Sequence, residues 1–230
     1  MIFDPIYFVF IAPALVLSLW ASFKTKSAFK KYSRVPTAGG QTGAEAAARL
    51  LASAGLSDVR ILRSRGMLTD HYNPANRTLN LSEGVYDSPS VAAVGVAAHE
   101  AGHALQHATG YKPLGLRSML VPTANIGSSL GYFVMLIGLF MSSANLVLIG
   151  AVLFSAVLLF QVVTLPVEFD ASRRAKALLV ENGIIAGSER DGVDKVLNAA
   201  AMTYVAAVVS SIMTLLYFLF RAGLFGGRSD

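Results

Sequence analysis

ANLVLIGAVLFSAVLLFQVVTLPVEFDASRRA, residues 144–175, carries no charge over its first twenty-four positions and then presents Glu168, Asp170, Arg173 and Arg174 within seven residues. About 20 consecutive apolar residues cross the hydrocarbon core of a bilayer as a helix. Residues 144–167 therefore read as a membrane span that ends on a knot of acids and bases. The polar residues from Asp170 onward, DASRRAKALLVENG, read as the opening of a new helix.

The neighbouring run 119–141, MLVPTANIGSSLGYFVMLIGLFM, is also charge-free, and only Ser142 and Ser143 separate the two. Together they predict a membrane hairpin. The polar first half of 119–141, with Thr123, Asn125, Ser128 and Ser129, suits a face turned to protein or water. Residues 6–23 form an eighteen-residue run without charge, with Pro13 inside it and KTKSAFKKYSR directly after it. A secretory leader carries its positive charge ahead of the apolar run, so this one reads as a retained anchor. A fourth run, 199–220, ends at Arg221.

Composition agrees with four spans. Hydrophobic residues make up 54% of the 230 and charged residues 14%, against about 25% charged in soluble domains. Of the nineteen Lys and Arg, twelve fall in 24–118, five in 168–198 and two outside these segments. Positive charge gathers on the cytoplasmic side, so both loops are expected there, with the N-terminus outside. The net charge of +5 lies beside apolar runs, which points to a bilayer rather than nucleic acid. Cysteine is absent, so any metal is held by His, Asp or Glu.

The loop 24–118 has its own signals. TGAEAAARLLASAG, 42–55, opens with a capping box from Thr42 to Glu45 and closes on Gly55. VRIL, 59–62, reads as a short strand. MLTDHYNPANRTLNLS, 67–82, reads as strand, turn and strand, with the turn at 73–76. Ser88 and Pro89 read as an N-cap and first-turn proline of a helix ending near Thr109 and Gly110.

That helix carries AAHEAGHALQH, 97–107, which holds three of the chain's four histidines. His99-Glu100-Ala101-Gly102-His103 has the pattern H-E-x-x-H. Positions i and i+4 share a helix face, so both imidazoles can reach one ion. Zinc is the usual occupant, as a Lewis acid that acidifies water. Glu100 lies about 100° round the helix and can take a proton from the attacking water. Gly102 leaves room for a close neighbour. His107 has drifted about 80° from His99 and reads as a supporting or surface histidine. A catalytic zinc takes a third protein ligand. Glu168 is the candidate, with Asp170 orienting a ligating imidazole. The reverse assignment, Asp170 as ligand and Glu168 as support, fits the spacing as well.

HEAGHALQH, the polar-headed hairpin, TLPVEFDASRRA, TGAE, LTDHYNPANRTLNLSEGVY and LRSMLVPTANIGS together closely resemble the YugP-like neutral zinc metallopeptidases of bacterial membranes. More distantly the layout is similar to gluzincins such as the HtpX-type membrane proteases. Those relatives carry an Asp four residues after the ligand Glu. Here Ser172 stands at that position, and the aspartate comes two after. The resemblance implies a multi-pass protein of a bacterial membrane, expected in the inner membrane, and the Lys and Arg bias puts its active site on the cytoplasmic face. It also implies that the hairpin before the zinc helix takes substrate along its edge strand, as an added strand. On that hairpin His71 is a candidate to steady the oxyanion. Arg173, Arg174, Tyr72 and Tyr204 are further candidates.

The expected fold is mainly α. It has about four transmembrane helices and a cytoplasmic zincin-like domain containing a small β-hairpin or sheet. The expected activity is that of a zinc endopeptidase with one Zn2+ per chain, held by His99, His103 and Glu168. Glu100 would be the general base, and His71 a second catalytic group. Its partners would be the bilayer and a membrane-associated or unfolded polypeptide. The competing reading is a metal-binding membrane protein that performs no hydrolysis.

Overall fold

The computed structural model describes residues 5–224. Asp4 and Arg228, which enter the charge pattern, lie outside the described residues. The chain divides into two compact units, one drawing on residues 5–21, 116–165 and 203–224, the other on 22–115 and 166–202.

The first unit is helical and apolar. It takes the start of α1 (Pro5–Tyr32), most of α5 (Lys112–Ile126), a π-helical turn (Gly127–Gly131), α6 (Tyr132–Phe140), the first half of α7 (Ala144–Glu181) and the second half of α8 (Arg190–Arg221). Among the described residues four segments are long and apolar enough to cross a membrane, Pro5–Tyr32, Lys112–Phe140, Ala144–Glu181 and Arg190–Arg221. Each continues beyond its charge-free run. Glycines bring the hairpin helices together. A Cβ at Gly131 would lie 2.6 Å from Phe154 N, and one at Gly138 would lie 2.6 Å from Val147 N. Without a hydrophobic drive between helices in lipid, such close backbone contact is what holds spans together. Met135, Val147 and Phe218 fill the core, while Phe8, Val16, Phe133 and Val152 are exposed. Exposed apolar side chains of this size suit a lipid solvent.

The second unit mixes helix and sheet. In α2 (Gly43–Ser53) the Thr42 side chain accepts from Glu45 N and the Glu45 carboxylate accepts from Thr42 N, so the capping box forms. β1 (Arg60–Ser64), β2 (His71–Asn73) and β3 (Thr78–Ser82) make a three-stranded sheet in the order β1-β3-β2. β1 runs parallel and β2 antiparallel to β3. Sheet edges thus fall on β1 and β2. The hairpin's first strand begins at His71 rather than Met67, because Leu68 adopts φ 58 and leaves the extended region. The helical turn α3 (Glu83–Tyr86) leads to α4 (Val91–Ala108).

The N-cap of α4 is Ser90, whose hydroxyl accepts from Ala93 N at 3.3 Å, and not Ser88. Pro89 precedes the helix because the segment around it is held extended. Thr37 N donates to Pro89 O at 2.9 Å and Val91 N to Val35 O at 2.9 Å. The helix closes at Thr109, followed by Gly110 at φ 63. Its small apolar face packs on Leu50, Leu79, Leu81, Val193 and Leu179. No new helix opens at Asp170, for α7 runs unbroken through Pro166 to Glu181. Membrane helices tolerate an interior proline because neighbouring groups satisfy the freed backbone carbonyl.

Candidate metal centre

α4 and the later part of α7 meet inside the second unit at a point where only glycine fits. A Cβ on Gly102 would lie 2.6 Å from the Ala171 carbonyl oxygen. Backbones this close bring Glu168, one turn before Ala171, level with the two histidines of α4. Glu168 Oε2 lies 3.2 Å from His99 Nε2 and 3.6 Å from His103 Nε2. The ligand atoms of His99, His103 and Glu168 all fall within 4.8 Å of one another. Glu168 and His103 are buried, while the His99 side chain keeps 14% of its surface, an opening to solvent.

Each imidazole is fixed from behind. His99 Nδ1 lies 3.1 Å from Ser172 Oγ, and His103 Nδ1 lies 3.0 Å from Gln106 Oε1. The second contact sets a tautomer. Gln106 is fully buried, and its Nε2 donates to Val167 O at 2.8 Å and to Asp170 Oδ2 at 3.0 Å. Both of those partners only accept. The amide oxygen must therefore face His103, and His103 Nδ1 must carry a proton. This leaves Nε2 on the side of Glu168 and His99, the arrangement of a ligating histidine. Burial pushes the His103 imidazole down, but the Glu168 and Glu100 carboxylates outweigh it and hold its pKa above the ordinary histidine value. The pocket thus draws positive charge to two nitrogens and a carboxylate, a donor set that fits zinc.

Asp170 reaches His103 through Gln106, not directly. Its carboxylate also accepts from Arg173 and from Arg174 Nε, the latter at 2.6 Å. The sequence reading missed Gln106 as a supporting residue, although it stands three after His103 on the same face. It met Ser172 only as a departure from the relatives' pattern, yet Ser172 supports His99. We expect Gln106→Leu to weaken zinc binding about 10–100-fold, the usual cost of losing a ligand's support. A competitive chelator titration of wild type and variant measures it.

Glu100 is buried, and its Oε2 accepts from Tyr72 N at 2.9 Å. That N–H belongs to edge strand β2 and points away from β3. The Tyr72 hydroxyl meets His107 Nδ1 at 2.8 Å, which ties β2 to α4 a second time. His71 is exposed on β2, with Nδ1 2.9 Å from Thr69 O and Nε2 3.2 Å from Asn80 Nδ2. Arg173 and Arg174 are committed to Asp170, and Tyr204 belongs to the first unit.

The family model described as "Putative neutral zinc metallopeptidase" matches residues 7–223. The chain belongs to this family. It is also 50% identical over 213 residues to the "Putative membrane protease YugP" of Bacillus subtilis (strain 168), covering 92% of this chain and 95% of the relative. No solved structure matches the chain. Membership of a zinc metallopeptidase family supports a protease and implies zinc. The four apolar helices and the membrane-protease relative support membrane association.

Proposed function

We propose that the protein is an integral-membrane zinc endopeptidase whose single zinc is held by His99, His103 and Glu168. The observation that carries this reading is the convergence of those three ligand atoms beside Glu100, against the edge of β2. Zinc in such a site supplies a Lewis acid and lowers the pKa of water toward neutrality. Glu100 takes the proton of the attacking water and returns it to the leaving nitrogen. The substrate lies extended along β2 and takes over the Tyr72 N–H that Glu100 holds in the free protein, so recognition rests on the main chain and depends little on side chains. His71, exposed on the same strand, is the residue assigned to steady the oxyanion.

The site faces the cytoplasm, in line with the excess of Lys and Arg in 24–118 and 168–198. Glu168 follows the charge-free run directly in the chain, so substrates are membrane proteins or their membrane-proximal segments. The test incubates detergent-purified protein with an unfolded model protein and reads new chain ends by mass spectrometry. Internal cleavage that a chelator abolishes and zinc restores is the expected result. Absence of cleavage, or cleavage indifferent to chelator, contradicts it. A survey of cellular substrates dominated by soluble proteins contradicts the membrane-proximal assignment alone.

A further inference from the structure

Within the second unit a groove of about 500 Å³ lies between α7 and α8. Its lining combines the exposed apolar side chains of Phe169 and Val180 with three cations, Arg173, Lys176 and Arg190. Glu181 is the one acid among the lining residues. Lys176 is satisfied by Asp194 at 3.0 Å and Asn198 at 2.9 Å, and Arg173 is bonded to Asp170 while 79% of its side chain stays exposed. Arg190, exposed at the first turn of α8, has no ion pair among the described residues. A cation at a helix N-terminus is opposed by the helix dipole, so Arg190 gains nothing from its own helix.

Position along the chain names the occupant. On α7 the lining begins at Phe169, two residues after the charge-free run 144–167. On α8 it ends at Ala201, just inside the run 199–220. Both walls therefore pass from headgroup-type to acyl-type surroundings at the groove. Basic pockets between membrane helices bind anionic headgroups. We propose that the groove binds one anionic phospholipid, with the upper part of its chains against Phe169 and its headgroup extending past Arg173 toward Arg190. Ser172, which supports His99, also lines the groove, so the lipid lies one hydrogen bond from the metal centre.

The test titrates the detergent-solubilised full chain with dioctanoyl phosphatidylglycerol, its phosphatidylcholine counterpart and inorganic phosphate, with bound lipid counted by native mass spectrometry. One phosphatidylglycerol per chain is expected, bound more tightly than phosphatidylcholine or phosphate. Arg190→Gln should weaken it about fivefold, the share of one cation near a headgroup. Arg65→Gln, an exposed arginine away from the groove, should leave it unchanged with zinc content intact in both. Equal losses in the two variants, or equal binding of phosphatidylcholine or of free phosphate, overturn the proposal. The readout is lipid binding, so it stands apart from whether the protein cleaves peptides.

Discussion

Glu100→Gln is expected to retain one zinc per chain and to lose peptide hydrolysis by about 10²–10⁴-fold, the usual contribution of general base catalysis. The substitution preserves shape and an acceptor oxygen for Tyr72 N, so the contact between α4 and β2 survives. Glu100 is not among the clustered ligand atoms, so metal binding survives as well. What disappears is a carboxylate able to take the proton of the attacking water. Zinc content and turnover on an unfolded protein, measured on the same preparations, separate these effects. A variant that binds zinc and cleaves at the wild-type rate removes Glu100 from the mechanism. A metal-binding protein without hydrolysis would need no base there.

Gly102→Ala should be nearly as damaging, though it removes no functional group. The new Cβ would lie 2.6 Å from Ala171 O and 3.3 Å from Ala171 Cα. Neither is the tip of a flexible side chain, so α4 and α7 must separate. Overpacking of this kind costs about 1–3 kcal/mol. The larger effect is on geometry, because Glu168 and Ser172 flank Ala171 and move with it. A displacement of about 1 Å at a catalytic centre can cost about 10²-fold in rate. Lower melting temperature, weakened zinc binding and lost turnover should therefore appear together. Gly187→Ala, with nothing within 4 Å of the added carbon, is the matched control and should behave as wild type. Wild-type zinc affinity in Gly102→Ala would mean that the α4–α7 contact does not position the ligands.

The parts of this protein that rest on local patterns were legible in its sequence. Charge-free runs marked the four apolar helices, and Thr42 with Glu45 marked the start of α2. The spacing of His99 and His103 put both on one face of α4, and Gly102 was read as leaving room for a close neighbour, which proves to be Ala171. What escaped depends on contacts between distant segments. The start of α4 moved from Ser88 to Ser90 because 35–37 holds 88–90 extended, and no local propensity encodes that pairing. Asp170 was read as the opening of a new helix, but α7 continues through Pro166 to Glu181. The pairing of β1 with β3 is parallel and spans a loop, so only the antiparallel hairpin could be foreseen. At the metal centre, Asp170 was expected to touch an imidazole. A buried glutamine stands between them, and spacing along one helix cannot reveal a partner on another.

X-ray absorption at the zinc edge of the purified 230-residue chain tests the central claim most directly, because it counts imidazoles bound to the metal. The account predicts stoichiometric zinc with two imidazoles, those of His99 and His103, and oxygen ligation that changes in Glu168→Ala. A count of three or more imidazoles would require His71 or His107 in the site. That count, or zinc far below one per chain, would contradict the proposed centre.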